Sequence, residues 1–166
     1  MNKSYVFLDI DGVVNTLMVD TTPFPTDRGQ ISRDGFYYEL CGPEDLAVSN
    51  RQAVMWLNRL CKETNADIII SSVWRLHGLE AVEQSLRNSG LLDEIKIVGA
   101  TPRLHTIGIR GDEIRLYLSE HPEVKNFVII DDDSDMGEFV NKLVQTNVHV
   151  GFTYNDYLKA LQILKN

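Results

Sequence analysis

The chain has 166 residues, with 16 basic against 24 acidic side chains, a formal net charge of −8 and 43% hydrophobic residues. That composition belongs to a globular domain long enough to bury a core, and it excludes a disordered or collagen-like polymer. The acidic balance argues against broad duplex binding through many phosphate contacts, but not against a local pocket for one phosphate.

The elements follow in chain order. Tyr5–Leu8 is a short, continuously apolar run that reads as a strand buried on both faces. From about residue 16 to 49 the rhythm breaks, with Pro23, Pro25, Gly29, Gly35, Gly42 and Pro43 around the cluster Phe36-Tyr37-Tyr38. This stretch is long for a connection and is expected to form a small cap or flap over the first strand's end. Ala53, Leu57, Leu60 and Cys61 then fall on one helical face, with Ser49 and Gln52 resembling a capping box. A second strand is expected at Ile68–Ile70, and a helix on the Leu79, Val82 and Leu86 stripe, ended near Gly90. The third strand is expected at Ile95–Val98. The next helix carries Ile114, Tyr117 and Leu118 and is stopped by His121-Pro122. Phe127–Ile130 reads as the fourth strand, Phe139, Val140 and Leu143 as a short helix, and Val148–Val150 as the fifth strand. Tyr154, Leu158, Leu161 and Leu164 mark a terminal helix. Such alternation predicts an α/β fold: a three-layer α/β/α sandwich around a five-stranded parallel, Rossmann-like sheet, in one domain.

In open sheets of this kind ligands bind beyond the C-terminal ends of the strands. Those ends carry Asp9-Ile10-Asp11-Gly12, Ser71-Ser72, Gly99-Ala100-Thr101 and Asp131-Asp132-Asp133-Ser134-Asp135. Asp9 and Asp11 are two apart, so in extended geometry both side chains project the same way, and Gly12 permits the tight turn that follows. Carboxylates this close repel unless a cation sits among them. Oxygen ligands from Asp9, Asp11, Asp131 and Asp132 suit Mg²⁺, whereas the four histidines show no transition-metal spacing.

The segment Phe7-Leu8-Asp9-Ile10-Asp11-Gly12-Val13-Val14-Asn15 resembles the first motif of the haloacid dehalogenase (HAD) superfamily, D-x-D-G-[TV]. Ile68-Ile69-Ile70-Ser71 is similar to its second motif, Arg110 ahead of Gly111-Asp112-Glu113-Ile114 to its third, and Val128-Ile129-Ile130-Asp131-Asp132 to its fourth. Asp131 with Asp135 also fits the D-x-x-x-D variant. The resemblance covers nearly the whole chain and implies a strand order of 5-4-1-2-3. It implies that Asp9 is the nucleophile, forming an aspartyl-phosphate, and Asp11 the general acid and then base. Ser71 would hydrogen-bond a phosphoryl oxygen and Arg110 would balance its charge. Mg²⁺ would sit on Asp9, the Asp11 carbonyl and Asp131, with Asp132 or Asp135 holding waters. Gly12, Ser72 and Arg75 are expected phosphate- or substrate-binding positions. The family's third-motif residue is usually lysine, and Arg75 and Arg103 compete with Arg110 for that place. Trp74 reads either as a platform beside the site or as packed core.

Asp11 favours a phosphatase over a dehalogenase, since carbon–halogen hydrolases of the superfamily lack the second acid. Small-capped members often accept large substrates, and Ser71-Ser72-Val73-Trp74-Arg75 with the Asp-rich fourth motif is similar to members associated with nucleic-acid end repair. The expected substrate is therefore a nucleotide or a polynucleotide terminal phosphate, with sugar phosphates as the alternative. Two other classes remain: a catalytically idle protein on the same fold, and a phosphate-receiving signalling domain. The second is disfavoured because its acidic pair should be adjacent and a lysine should end the fifth strand. Two cysteines, Cys41 and Cys61, offer no disulfide framework, and no apolar run is long enough for a bilayer or a signal peptide. The reading expects a cytoplasmic protein with no membrane partner.

Overall fold

The computed structural model of the protein describes residues 3–16, 50–104 and 108–166. Five parallel strands form one sheet: β1 (Ser4–Leu8), β2 (Ala66–Ile70), β3 (Ile97–Ala100), β4 (Asn126–Asp131) and β5 (Leu143–Gln145). Their order is β3-β2-β1-β4-β5, with β1 in the centre in register with β2 (Leu8 opposite Ile70) and β4 (Leu8 opposite Ile130). The helices are α1 (Arg51–Thr64), α2 (Leu79–Asn88), α3 (Arg110–Glu120) and α4 (Tyr154–Lys165), with 3-10 segments at Val73–His77 and Gly137–Lys142.

The apolar runs are continuous because both faces of the sheet are covered. Val6, Leu8, Ile68, Ile70, Val128 and Ile130 enter a larger core with α1, α2 and α4. Their alternates Phe7, Ile69, Phe127 and Ile129 enter a second core with Ile114 and Tyr117 of α3. Strand periodicity of two thus serves two cores, which is the sandwich expected from the sequence.

Three expectations need correcting. Val148–Val150 is not a strand: Asn147 opens a turn in which its carbonyl accepts from the Val150 and Gly151 amides and its side chain from the His149 amide. The V-x-V alternation imitated a strand, but a side-chain acceptor at its head turns the backbone instead, and Val150 is left exposed. The fifth strand is Leu143–Gln145, paired to Ile129–Asp131, so Leu143 starts a strand rather than ending a helix. Ahead of it lies a 3-10 segment, Gly137–Lys142, in place of the short helix. The third strand begins at Ile97 rather than Ile95, because Ile95 closes a turn on the Leu92 carbonyl. At the first helix the cap is Asn50, whose side chain accepts from the Ala53 amide at 3.0 Å; the expected Ser49–Gln52 box has its first member outside the described residues.

The expected insertion, with Phe36–Tyr38 and Cys41, also lies outside the described residues save Thr16. Its two roots meet. Asn50 donates its backbone N–H to the Val14 carbonyl at 2.9 Å and its side-chain amide to Thr16 Oγ1 at 3.4 Å. Cys61 is buried, and that burial pushes its thiol up to about 12.

Candidate active site

The chain runs from β1 through β2 to β3 on one side and then to β4 and β5 on the other, so the order in which the parallel strands are laid down reverses between β1 and β4. In open parallel sheets the C-terminal ends of the strands at such a reversal are the usual ligand position. Asp9 follows β1 there, its amide donating to the Ile130 carbonyl, and Asp131 ends β4. Both carboxyls are buried, at 5% and 1% exposure. One oxygen each from Asp9, Asp131 and Asp132 lies within 4.8 Å of the other two, the group of potential metal ligands found among the described residues.

Arg110, the first residue of α3, reaches into this cluster. Its Nη2 is 3.6 Å from Asp9 Oδ1 and its Nε 3.5 Å from Asp131 Oδ2, and Nη1 donates to the Ser71 carbonyl. Burial acts to lower the guanidinium's pKa, but Asp9 and Asp131 outweigh it and hold it above the ordinary value. A single cation does not neutralise the cluster. Burial, reinforced by the Asp131 charge and opposed by Arg110 and a hydrogen bond with Ser72, pushes Asp9 up to about 8. Burial likewise raises Asp131 to about 6, against the pull of Arg110. Asp131 Oδ2 is buried and accepts no hydrogen bond from the described residues. Three hard oxygens, crowded and only partly compensated, form a donor set that fits a small divalent cation of the Mg²⁺ type.

Asp135 has a different place. Its Oδ2 accepts from the Arg110 amide at 2.9 Å and its carbonyl from the Gly111 amide at 3.1 Å, so it caps the start of α3. This fixes the helix that carries Arg110, although Asp135 Oδ1 is buried without a partner among the described residues. Gly111 is required by the same contact: a Cβ there would lie 2.3 Å from the Met136 carbonyl oxygen. Asp133 donates its amide to Asp131 Oδ1 at 3.0 Å, fixing that carboxyl from the other side.

Gly12 stands at φ +71°, and a Cβ there would sit 2.4 Å from Asp132 Cγ. The turn after β1 therefore needs glycine twice over, for its left-handed backbone and for the approach of Asp132. The turn's far side is tied to the sheet by Thr146, which follows β5 and donates its hydroxyl to the Gly12 carbonyl at 2.8 Å. Thr146, not Gly151, is thus the residue after the fifth strand, and it too is not a lysine.

At the end of β2, Ser71 and Ser72 are fully buried, and the Ser71 hydroxyl has no partner among the described residues. Arg75 does not lie free beside them. It donates to the Ser72 carbonyl at 2.6 Å and pairs with Glu113 Oε2 at 2.7 Å, with its side chain only 7% exposed. Glu113 also accepts from the Leu104 amide at 3.1 Å. Arg103 is exposed and Arg110 is the arginine that meets the carboxylates.

Asp11 stands apart from the cluster of three. Its Oδ1 accepts from Asn15 Nδ2 at 2.8 Å and its Oδ2 from Trp74 Nε1 at 2.9 Å. The sequence reading missed Asn15, Glu113 and Thr146 as partners, and left Trp74 between core and platform. A buried indole N–H needs an acceptor, which was the available signal for Trp74. Nothing in the linear order announced Glu113 or Thr146.

Among protein families, residues 5–157 match the one described as HAD domain in Swiss Army Knife RNA repair proteins. Neither the curated proteins nor the solved structures contain a match to the chain. No helix among the described residues is long and apolar enough to cross a membrane.

Proposed function

The chain belongs to the family of HAD domains found in Swiss Army Knife RNA repair proteins, and on that premise we propose that it is a Mg²⁺-dependent phosphomonoester hydrolase acting on terminal phosphates of nucleotides or polynucleotides. The observation that carries the reading is the Asp9–Asp131–Asp132 cluster, with Asp9 and Asp131 buried, Asp132 half-buried and Arg110 set between Asp9 and Asp131. The family's association with RNA repair is what favours a nucleic-acid end as the substrate.

In this reading Asp9 attacks phosphorus, forming an Oδ–P bond as the ester P–O bond breaks, and Asp11 gives its proton to the departing oxygen. Asp11 then takes a proton from the water that cleaves the aspartyl-phosphate. The buried Ser71 hydroxyl, without a partner among the described residues, donates to a phosphoryl oxygen. Arg110 supplies forked positive charge to the same group, which is the electrostatic relief that phosphoryl transfer requires. Ser72 and the Gly12 turn shape the phosphate pocket. Arg75, held by Glu113, braces the Ser72 backbone rather than reaching the substrate itself. Asp9, the Asp11 carbonyl and Asp131 would hold Mg²⁺ with Asp132 on its waters, and the ion would supply charge that lets an anionic phosphate approach carboxylates. The segment from about residue 16 to 49 is assigned the part of a cap in this reading, and its described ends meet where Asn50 donates to Thr16.

The test is phosphate release by the wild type and by Asp9→Asn, with Mg²⁺ or with EDTA. The substrates are p-nitrophenyl phosphate, sugar phosphates, nucleotides, and oligonucleotides phosphorylated at the 3′ or 5′ end. We expect Mg²⁺-dependent turnover, fastest on a nucleotide or oligonucleotide, and a loss of at least about 10³-fold in Asp9→Asn, the scale on which a covalent nucleophile acts. Binding of Mg²⁺ without turnover of any ester overturns the reading in favour of an idle HAD-fold protein.

A further inference from the structure

Among the described residues, each oxygen of the Asp11 carboxyl is held by one N–H donor, and the two donors come from different parts of the chain. Asn15 Nδ2 reaches Oδ1 at 2.8 Å from the turn after β1, and Trp74 Nε1 reaches Oδ2 at 2.9 Å from the 3-10 segment after β2. Trp74 is itself firmly seated. It is 2% exposed within the larger core, and its backbone N–H faces the Ser72 hydroxyl at 3.4 Å. Its indole therefore carries the rigidity of the core to an acid at the rim of the site. We infer that Trp74 and Asn15 are positioning residues that fix the Asp11 carboxyl for proton delivery to an alkoxide leaving group, so that the site is built for alkyl rather than aryl phosphate esters.

The inference rests on the reading of Asp11 as general acid. A carboxyl oxygen offers about two acceptor positions, so the one N–H that the described residues place on each oxygen is compatible with the proton that is transferred. As the ester P–O bond breaks, that proton moves to the leaving oxygen and the product departs as a neutral alcohol. The Asp9–phosphorus bond formed in the same step is later cleaved by water, whose proton returns to Asp11, so one ester and one water give one alcohol and one phosphate. A sugar alkoxide is a poor leaving group and depends on this proton arriving on time. p-Nitrophenolate is stable unprotonated and depends on it little. Loose positioning of Asp11 therefore penalises alkyl esters selectively, whereas a general loss of structure penalises both.

The experiment measures kcat/KM with Mg²⁺ for the wild type, Asp11→Asn, Trp74→Phe and Asn15→Ala. The substrates are p-nitrophenyl phosphate and the most rapidly hydrolysed alkyl monoester of the panel above. Asp11→Asn is expected to lose about 10²–10⁴-fold on the alkyl ester, the range of general acid catalysis, and far less on the aryl ester. Trp74→Phe is expected to lose about 10–100-fold on the alkyl ester, at least about tenfold more than on the aryl ester, with Asn15→Ala changing in the same sense. Equal losses on both esters in Trp74→Phe and Asn15→Ala overturn the inference while leaving Asp11 as the acid. If Asp11→Asn itself shows no difference between esters, or the wild type cleaves neither, the underlying reading fails and this inference with it. Thermal melts accompany the kinetics, and if Trp74→Phe does not melt cooperatively, Asn15→Ala decides.

Discussion

At the scale of single residues the site is a conflict of charges placed where water cannot relieve it. Asp9, Asp131 and Asp132 share one small volume, and among the described residues Arg110 is the arginine set against them. Each buried carboxyl resists ionisation, and the resistance is a stability term as well as a chemical one. Asp9 is raised from 3.8 to about 8, and Asp131 from 3.8 to about 6, both chiefly by burial. A folded-state value above the unfolded one means that the folded protein binds more protons between those limits. The contribution is thus fully present below about pH 4 and is lost as pH rises toward 8. In EDTA the wild type should melt at progressively lower temperature from pH 5 to 8 relative to Asp9→Asn, which lacks the ionising group. A pair of melting curves that stays parallel across that window would sink this account. Gly12 is the other residue whose role is set by crowding. Gly12→Ala must strain a backbone at φ +71° and displace Asp132, whose Cβ lies 2.7 Å from the added carbon. The expected cost is about 1–3 kcal/mol in urea denaturation, with weaker Mg²⁺ binding by titration because Asp132 leaves the cluster.

At the scale of elements, the site depends on how two helical segments are joined across the crevice. Arg75 in the 3-10 segment after β2 and Glu113 in α3 form a pair whose side chains are 7% and 13% exposed. Burial lowers the Arg75 pKa and Glu113 compensates in part, so each partner depends on the other. Through Ser72 the pair fixes the end of β2, and through α3 it fixes Arg110 three residues earlier. Glu113→Ala should leave a buried guanidinium without its counter-charge and cost about 3–5 kcal/mol, read from urea denaturation. Arg75→Met/Glu113→Leu should recover most of that loss, because two apolar side chains incur no charge desolvation. Failure of the double variant to recover stability would show that the pair acts through geometry rather than charge. The same scale explains where the sequence reading succeeded among the helices. The stripe at Leu79, Val82 and Leu86 and the stop at His121-Pro122 are local signals, and α2 and α3 follow them. At α4 the reciprocal bonds of Thr153 and Asp156 close a capping box at the helix start. Strand-sized fragments are less secure, since three or four apolar residues carry little periodicity. Val148–Val150 had the pattern of a strand, and Leu143–Gln145 had the sheet edge.

At the scale of the whole molecule, the sheet order turns distant short motifs into one site. The β1–β4 contact brings Asp9 and Asp131 together, the β1–β2 contact brings Ser71 and Ser72 beside them, and α3 returns Arg110 to the same end. Mg²⁺ binding should therefore act on global stability, because its ligands come from strands at the centre of the sheet. Raising Mg²⁺ at pH 8 should increase the wild-type melting temperature by the amount mass action prescribes. Asp9→Asn should show little of that increase. Equal shifts in both proteins would place the binding elsewhere.

Much of this was legible in the linear sequence. The α/β sandwich with four of its five strands, the resemblance to the HAD superfamily and the crowding of polar residues at strand ends follow from apolar runs and short motifs, because those signals are local. Asp9, Asp11, Ser71, Arg110 and Asp131 stand in those motifs as candidates for the site. Only the tertiary structure decided how each of them is held. It set Asp135 to capping α3, bound Arg75 to Glu113 instead of leaving it free, and gave both oxygens of Asp11 to Asn15 and Trp74. The physical reason is distance along the chain: Trp74 is 63 residues from Asp11 and Arg110 is 39 from Ser71. Contacts of that span are chosen by the packing of the whole sheet and its helices, and no local pattern encodes them.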